Sequence, residues 1–465
     1  MNQSPAADKS KIPLKRILGV TTSILFVAGI MIGSGVFKKI APMAALGLSQ
    51  GYLIAAWIVA GIITMFGAFV VSGLANLTEE SGGIYEYLRI SFGNFISFLY
   101  GWSAFTIIGS ASVAALAFIF SQSVNAVIPL HDPLAGMDDF SIAGFIFPFR
   151  SSGVKILSIA VIALLTWLNY RGARNGASLN TILTWLKILG ILFLISIGLF
   201  FVSPAGNHVG AATAQLPKTA LYSAFFGALL SAFWAYDGWA DLSFVTGEIK
   251  NPKRNVPLAI IIGVGTVTAI YVLANYAYMR TLNLKVLASL GENDIAAAAV
   301  AGAILGEKGK MFISSLIMIS TLGALNAVIF FYPRLYYRMA QEKSFFKKAA
   351  DVHPLYRTPY IALLYVMVWS SVLVISGSFD ILTDMIIFSG FFFYILIASA
   401  LIKMKRSGII KAKVTGYPLV SIVIILFSLA LLLNTILRQP KETLIGLGLM
   451  LSGIPFYYFF QRKKN

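Results

Sequence analysis

Cysteine is absent from this sequence, charged residues are scarce, and there are only three histidines. Without cysteine the chain can form no disulfide bond, either internally or to a partner subunit, and no thiolate metal or redox site. The histidines, His131, His208 and His353, are far apart and fall in predicted loops, so no metal site is predicted. The sequence also lacks a recognisable nucleophile and base set, so we expect neither an enzyme nor a cofactor.

The chain is instead rich in apolar residues. Of its 465 residues, 58% are hydrophobic and 12% are charged, and the mean hydropathy is +0.83. A soluble domain carries about 25% charged residues because its surface faces water. Apolar runs recur along most of the chain, and each approaches the ~20 residues that cross a bilayer. The composition therefore predicts an all-α membrane protein.

Hydropathy predicts 12 transmembrane helices. They fall near 17–41, 49–75, 93–128, 153–170, 178–202, 219–246, 255–279, 310–338, 358–376, 382–402, 417–437 and 443–461. The first run is too long for a signal peptide and is taken as an uncleaved span. The segment 283–307 carries acidic residues and is predicted to form an interfacial or extramembrane helix.

Charge distribution predicts the orientation. About two thirds of the 36 Lys and Arg residues flank the spans on the side of the N-terminus. This bias places both termini in the cytoplasm, with the chain in the inner (plasma) membrane. The net charge of +18 would suit a nucleic-acid-binding protein, but the basic residues stand at helix ends, and we expect no nucleic-acid partner.

The first apolar run contains an unusual triplet, Gly33-Ser34-Gly35, in "AGIMIGSGVF". Glycine in a helix interior costs about 1 kcal/mol relative to alanine. Small residues can serve close helix packing. Alternatively they mark a break whose free N–H groups bind a carboxylate. The triplet alone leaves both interpretations open.

A second interruption favours the break. The run 231–248 contains Asp237-Gly238, a turn-forming pair, in its middle. Two interrupted helices, one in each half of a chain, indicate a transporter built from inverted repeats. Spans one to five and six to ten would then be the two repeats.

An ordered set of motifs resembles the amino acid–polyamine–organocation (APC) transporter superfamily, and is most similar to bacterial relatives of the L-type amino acid transporters. The motifs are "GSGVF" (33–37), "SGGIYEYL" (81–88), "GW" (101–102), "FWAYDGW" (233–239), "GEIKNPKRNVPLAI" (247–260) and "NAVIFFYPRLYYRMAQEKSFF" (326–346). The resemblance implies a five-plus-five inverted-repeat transporter fold in which helices 1 and 6 are discontinuous.

This resemblance also implies a single transporter domain over residues 1–465. It would comprise a cytoplasmic tail, a first repeat of helices 1–5, a second repeat of helices 6–10, helices 11–12 and a second tail. The corresponding ranges are 1–16, 17–202, 219–402, 417–461 and 462–465.

The resemblance implies an amino acid site at the two breaks. The substrate carboxylate would lie on the backbone N–H groups of Gly33, Ser34 and Gly35. The ammonium would be held by carbonyls at Met31, Trp234 and Asp237, and the Trp234 ring would act as an aromatic gate rather than a packing residue. Spans three and eight would line the side-chain pocket, near Ala104, Phe105, Gly109, Gly323 and Asn326.

Two charged residues, Lys187 and Asp237, lie within predicted membrane helices, where a charge is costly and is usually functional. A lysine such as Lys187 costs about 2.5–3.5 kcal/mol at a membrane helix centre. The resemblance implies that Lys187 replaces the sodium ion of sodium-coupled relatives, makes transport sodium-independent and could carry a proton. Asp237 could bind a cationic substrate or a proton, or it could cap the second half of its helix.

The sequence therefore predicts a sodium-independent amino acid transporter, an exchanger of neutral L-amino acids that works by alternating access. The alternatives are a proton-coupled amino acid importer and an antiporter of a cationic amino acid or amine. A transporter-like sensor lacks support because no extra soluble domain is visible, and a channel lacks a repeated filter sequence. The expected partners are the amino acid and the lipid bilayer, and no oligomeric state is predicted.

Overall fold

The fold is known from a computed structural model that describes residues 16–142, 147–200, 217–291, 294–376 and 379–462. The predicted tails up to residue 15 and from residue 463, and also His208, lie outside the described residues. Within the described ranges the chain is helical and contains no named strand, and an isolated parallel bridge joins Leu18 to Ile249. This confirms the all-α prediction.

The described residues form 18 α-helices. In chain order they are α1 (Val20–Met31), α2 (Gly35–Lys38), α3 (Ile40–Ala45), α4 (Gln50–Leu74), α5 (Ile84–Phe92), α6 (Asn94–Ser103), α7 (Gly109–Asn125), α8 (Ser152–Tyr170), α9 (Ala173–Phe200), α10 (Lys218–Tyr236), α11 (Pro252–Thr281), α12 (Leu284–Ala288), α13 (Ala296–Gln341), α14 (Tyr360–Ser376), α15 (Phe379–Arg406), α16 (Leu419–Arg438), α17 (Pro440–Leu451) and α18 (Gly453–Arg462). A π-helix, Ala104–Ile108, joins α6 to α7, and a 3₁₀ helix, Asp241–Glu248, follows α10.

Ten segments of the described chain are long and apolar enough to cross a membrane. Helix α14 is apolar but shorter, and α10 is followed by a turn and the 3₁₀ helix rather than by a continuous helix. The membrane architecture is thus borne out. The count of 12 spans and the inverted repeat stay predictions.

The segment predicted as one extramembrane helix contains two helical pieces instead. Helix α12 covers Leu284–Ala288, and a second piece begins at Ala296 and runs to Gly306. Gly306 has φ of 66° and ψ of −157°, a conformation that glycine adopts easily, and it kinks α13 at this point. Val300 is buried, so the second piece packs on the protein.

Helix α1 lies at the centre of the bundle. It packs against α9, α11 and α13, while α13 also packs along α7, and α4 packs along α11. Close approach is possible where small residues face one another. At Gly263 of α11, for example, a Cβ atom would stand 2.6 Å from Val27 of α1. The break after α1 is therefore enclosed by protein, as irregular backbone in a membrane must be.

One end of the bundle is held by charges. Glu248 and Arg334, 2% and 1% exposed, form an ion pair of 3.0 Å. Buried Glu86 binds Arg89 at 2.7 Å and Arg338 at 2.9 Å. We call these five residues the charged layer. It joins α5, the 3₁₀ helix and the last turns of α13, and so closes the bundle at the end where α1 begins.

Candidate substrate site

The first helix break lies between α1 and α2. Ile32 leaves the helical conformation with ψ of 74°, and the N–H of Gly33 donates to the carbonyl of Met31 at 2.7 Å. The chain turns at Ser34, and α2 begins at Gly35. The predicted gap is therefore present at the triplet. The triplet also serves close packing, because a Cβ atom on Gly35 would collide with the backbone of Ala235.

Lys187 reaches this break from α9. Its side chain is fully buried, and its ammonium donates to the carbonyl oxygens of Gly29, Ile32 (2.8 Å) and Ser320 (3.3 Å). The hydroxyl of Ser320 also donates to the carbonyl of Ile32, at 2.9 Å. Carbonyls freed by the end of α1 thus receive their hydrogen bonds from a tethered cation, which offsets part of the cost of burying the charge.

The second break follows α10. Asp237 is extended, with φ of −62° and ψ of 156°, and Gly238 has φ of 87°. A side chain at Gly238 would be strained by this φ and would also press against Ile30, whose Cγ1 would lie 2.8 Å from the new Cβ. The 3₁₀ helix then begins with Ala240 as its N-cap residue, without a side-chain cap. The N-cap residue of the 3₁₀ helix is thus Ala240 rather than Asp237, and the capping interpretation of Asp237 stays a prediction.

Tyr271 of α11 connects the two breaks. Its hydroxyl oxygen lies 2.5 Å from the carbonyl oxygen of Met31 and 2.8 Å from that of Ala235. The Met31 carbonyl, predicted to be free for a substrate ammonium, therefore already has Gly33 and Tyr271 as partners. An ammonium could use it only by displacing one of them. Sequence reasoning missed Tyr271, which lies in an apolar run without a motif of its own.

A cavity with about 350 Å³ of empty space lies where the two breaks meet. Its walls are formed by Ile30, Met31, Gly33, Ser34, Gly35, Ser112, Leu116, Trp234, Asp237, Gly238, Asp241 and Val328. We call it the substrate cavity. Six predicted site residues meet here, namely Met31, Gly33, Ser34, Gly35, Trp234 and Asp237.

The other predicted pocket residues do not line this cavity. Ala104, at the start of the π-helix, accepts a hydrogen bond through its carbonyl from the hydroxyl of Tyr336 at 2.9 Å. Phe105 packs in an aromatic cluster with Trp102, Tyr336, Phe345 and Trp369. Gly109 lies against the ring of Tyr332. Asn326 accepts a hydrogen bond from Asn169 at 2.8 Å, and Gly323 approaches Lys187.

The walls from α7 and α13 are instead supplied by residues close by in the sequence. Ser112 lies one helical turn beyond Gly109, Leu116 lies a further turn along, and Val328 lies two positions after Asn326. The sequence indicated the two helices that contribute to this cavity but not the faces that they turn towards it, because an apolar run of a membrane helix has no polar face to fix its rotation. Asp241, an acidic residue in an apolar run, also lines the cavity, and the sequence predicts no role for it.

The lining of the cavity contains acidic residues but no basic ones. Asp237 and Asp241 both line it, and Asp241 is only 7% exposed. None of the lining residues is Lys or Arg. Across the cavity, the indole N–H of Trp234 donates to the hydroxyl of Ser34 at 3.2 Å. The cavity therefore combines a broken-helix backbone, two hydroxyls from Ser34 and Ser112, and two carboxylates.

Comparisons with known proteins find relatives that match most of the chain. The profile of the amino acid permease family matches residues 18–458. The serine/threonine exchanger SteT of Bacillus subtilis (strain 168) is 29% identical over 456 residues, which cover 97% of this chain and 98% of the relative. The human b(0,+)-type amino acid transporter 1 is 29% identical over 97% of this chain and 89% of its own length. The human large neutral amino acids transporter small subunit 2 is 28% identical over 96% and 81%, respectively.

Proposed function

Because this chain belongs to the amino acid permease family of the APC superfamily, a family of transporters rather than enzymes, we propose that it is a sodium-independent exchanger of neutral L-amino acids. The observation that carries the proposal is the position of the Lys187 ammonium on the carbonyls of Gly29, Ile32 and Ser320. The similar SteT is named as a serine/threonine exchanger, and the other two relatives are named as amino acid transporters.

Sodium independence follows from what Lys187 does to the break. Backbone carbonyls at the end of a half-helix are the groups that coordinate a transported cation in broken-helix transporters. Here three carbonyls are already occupied by a covalently attached cation. A mobile sodium ion would have to displace the ammonium and leave it buried without partners, which is unfavourable. Binding of the amino acid then has no sodium requirement.

The amino acid would bind across the two breaks. Its carboxylate would accept hydrogen bonds from the N–H groups of Ser34 and Gly35 and from the Ser34 hydroxyl. The N–H of Gly33 could join them only by leaving the Met31 carbonyl, to which it donates at 2.7 Å. Its ammonium would lie against the open backbone of the second break, at Trp234 and Asp237, since the Met31 carbonyl already has partners. The side chain would point towards Ser112, Leu116 and Val328, which are uncharged and suit a neutral residue.

The architecture is part of the same proposal. Twelve spans, counting the interrupted α1–α2 and α10 with its 3₁₀ continuation, would form five-plus-five repeats and two further helices in one domain. Both termini would face the cytoplasm across the plasma membrane. In that orientation the charged layer lies on the cytoplasmic side. The closure there, and the Trp234–Ser34 contact over the cavity, support alternating access through separate gates.

A second candidate function has one specific observation in its favour. Asp237 and Asp241 both line the substrate cavity, and no lining residue is basic. Two carboxylates can neutralise a second ammonium or a guanidinium on the substrate. An antiporter of a cationic amino acid or an amine is therefore the runner-up. It differs from the leading proposal in the charge of the cargo, not in the site.

Counterflow in proteoliposomes tests both candidates. Vesicles loaded with unlabelled serine, leucine or arginine would be diluted into the same labelled amino acid, with sodium or choline outside, and with or without a pH gradient. We expect rapid uptake that needs an internal neutral amino acid and ignores sodium and pH. Uptake restricted to arginine would favour the second candidate. Uptake into empty vesicles driven by an inward proton gradient would overturn exchange.

A further inference from the structure

A second cavity lies next to the substrate cavity, with about 530 Å³ of empty space when its opening to solvent is included. It is bounded by α4, α10, α15 and α16, and by the turn after α10. The two cavities share one residue, Asp237. We call it the aromatic cavity, because of the residues that line it.

Five aromatic residues from two helices and the adjoining turn line this cavity. They are Phe233, Tyr236, Trp239, Phe391 and Tyr394. Four of their rings form a continuous series: the centroids of Phe233 and Phe391 are 4.6 Å apart, those of Phe391 and Tyr394 are 5.2 Å apart, and those of Tyr394 and Trp239 are 5.5 Å apart. Their planes are inclined by 50–71°, so the rings present faces and edges in several directions.

The remaining walls are almost entirely apolar. Apart from Asp237, the polar side chains in the lining are the hydroxyls of Thr64, Tyr236 and Tyr394 and the indole of Trp239, and no lining residue is basic. Aliphatic residues complete the surface, namely Ile63, Val70, Ile387, Ile397 and Ile424. A ligand of this cavity must therefore bring a large apolar body.

Aromatic faces together with one carboxylate have a specific chemical preference. The faces of Trp, Tyr and Phe attract organic ammonium ions, most strongly where water is excluded. A carboxylate adds a charge-assisted hydrogen bond to an ammonium N–H. A zwitterionic amino acid fits less well, because the lining offers no basic residue to its carboxylate.

We propose that the aromatic cavity binds an organic ammonium ion with an aromatic or branched aliphatic substituent, at a site separate from that of the transported amino acid. The ammonium lies against Asp237 and the neighbouring rings, and the substituent fills the space between Ile387 and Phe391. Because Asp237 also lines the substrate cavity, an occupant here changes the charge that the amino acid meets. The ligand is therefore a modulator of exchange rather than a cargo.

Gly390 offers a way to fill this cavity selectively. It lines the cavity, and a Cβ atom built on it would meet only the Cζ of Tyr394, at 4.0 Å. A larger side chain at this position therefore has room to grow into the empty space. Gly390→Leu occupies the proposed site, while Gly390→Ala adds one methyl group and serves as the matched control. Ile424→Trp, from α16, fills the same cavity from another wall.

The test is direct binding of labelled 2-phenylethylamine, which is an ammonium ion at pH 7, to the purified full chain in nanodiscs. Its neutral isostere 2-phenylethanol is the comparison ligand. We expect saturable amine binding that is at least tenfold tighter than that of the alcohol. Gly390→Leu and Ile424→Trp should each weaken amine binding at least tenfold, and Gly390→Ala less than twofold. Thermal unfolding of each variant shows that it is folded.

The position of the amine is tested by competition with a transported amino acid. At a separate site, saturating amino acid shifts the amine dissociation constant by a limited factor and then no further. Val328→Trp, which fills the substrate cavity, should abolish amino acid binding and spare the amine. Amine displacement that rises without limit, indifference to Gly390→Leu, or equal binding of the alcohol would each overturn the proposal. None of these outcomes depends on which amino acid is exchanged.

Discussion

The indole nitrogen of Trp234 donates a hydrogen bond to the hydroxyl oxygen of Ser34 at 3.2 Å. The contact joins the two interrupted helices across the substrate cavity. The serine acts here as an acceptor, so its own proton remains available for a substrate carboxylate. Closing the cavity and the proposed binding of the carboxylate would thereby be linked through one hydroxyl group.

This link predicts non-additive effects of two substitutions. Trp234→Phe keeps an aromatic ring but removes the N–H donor, and Ser34→Ala removes the acceptor. Each should weaken amino acid binding about 5–10-fold, in line with ~1–1.5 kcal/mol for a hydrogen bond. The double variant should be little worse than Ser34→Ala, because the second change removes a bond that is already lost. The measurement is equilibrium binding of labelled amino acid to the wild type, the two single variants and the double variant. Strictly additive changes in binding free energy would disprove the link.

Replacing Lys187 with Met should lower the exchange rate at least about tenfold. The substitution keeps most of the length of the side chain but removes the ammonium that donates to the carbonyls of Gly29, Ile32 and Ser320. The Ile32 carbonyl keeps the Ser320 hydroxyl as a donor, whereas a buried acceptor left without any donor costs ~1–3 kcal/mol. Exposed carbonyls are ligands for a small cation. We therefore expect sodium, but not choline, to restore part of the activity. Initial rates of counterflow in the two salts provide the measurement.

Lys155 is a matched control for Lys187. It is also a buried lysine whose ammonium donates to three backbone carbonyls, those of Phe147 (2.6 Å), Pro148 (3.2 Å) and Ile375 (3.0 Å). Its partners lie outside the substrate cavity. Lys155→Met should therefore lower the unfolding temperature without changing the KM for the amino acid or creating a response to sodium. A sodium response in both variants would mean that the effect at Lys187 is not specific to the break.

The two glycines of the triplet should differ in their tolerance of a methyl group. A Cβ atom on Gly35 would collide with the Ala235 backbone, whereas on Gly33 the nearest atom would be Leu116 Cδ2, at 3.3 Å. Gly35→Ala should therefore separate the two breaks and abolish exchange, while Gly33→Ala should retain measurable exchange. Gly265→Ala, where only the flexible end of Met65 lies within reach at 3.5 Å, should behave as wild type. Equal tolerance at Gly33 and Gly35 would argue against close contact of the breaks.

Breaking the ion pair of the charged layer should cost far more than breaking an exposed one. Glu248→Gln leaves the buried guanidinium of Arg334 without its counter-charge, and loss of one partner of a buried pair typically costs ~3–5 kcal/mol. Arg16→Ala removes an exposed partner of Glu79, a contact worth about 1 kcal/mol or less. Thermal unfolding in detergent should separate the two variants. Similar melting temperatures would show that the buried pair is not a major element of closure.

Much of the fold could be predicted because the bilayer imposes strong rules on sequence. Helix positions follow from apolar length, and the breaks follow from glycine and Asp-Gly where a continuous ladder would otherwise run. Lys187 could be identified because a charge within an apolar run needs a partner. Each of these signals lies within a short stretch of residues, so it can be recognised in a single sequence.

The missing parts of the site depend on contacts between distant segments. Tyr271 is separated from Met31 by 240 positions, and nothing near it marks the hydroxyl as the one that reaches the break. Leu116 and Val328 required the rotation of two apolar helices, which no polar face specifies. The aromatic cavity arises where α10 and α15 meet, and its rings are individually ordinary membrane residues.

The bridge between Leu18 and Ile249 has a mechanical consequence. Leu18 N–H donates to the Glu248 carbonyl at 3.0 Å, and Lys250 N–H donates to the Leu18 carbonyl at 2.9 Å. The segment that precedes α1 and the segment that follows the 3₁₀ helix are thus joined by backbone hydrogen bonds. No substitution other than one to proline removes a group that forms them. Opening of the bundle at this end would therefore require the two segments to move together, or these backbone hydrogen bonds to break. Leu18→Pro removes the N–H group that donates to Glu248. It would therefore weaken the connection between the two segments rather than the binding site.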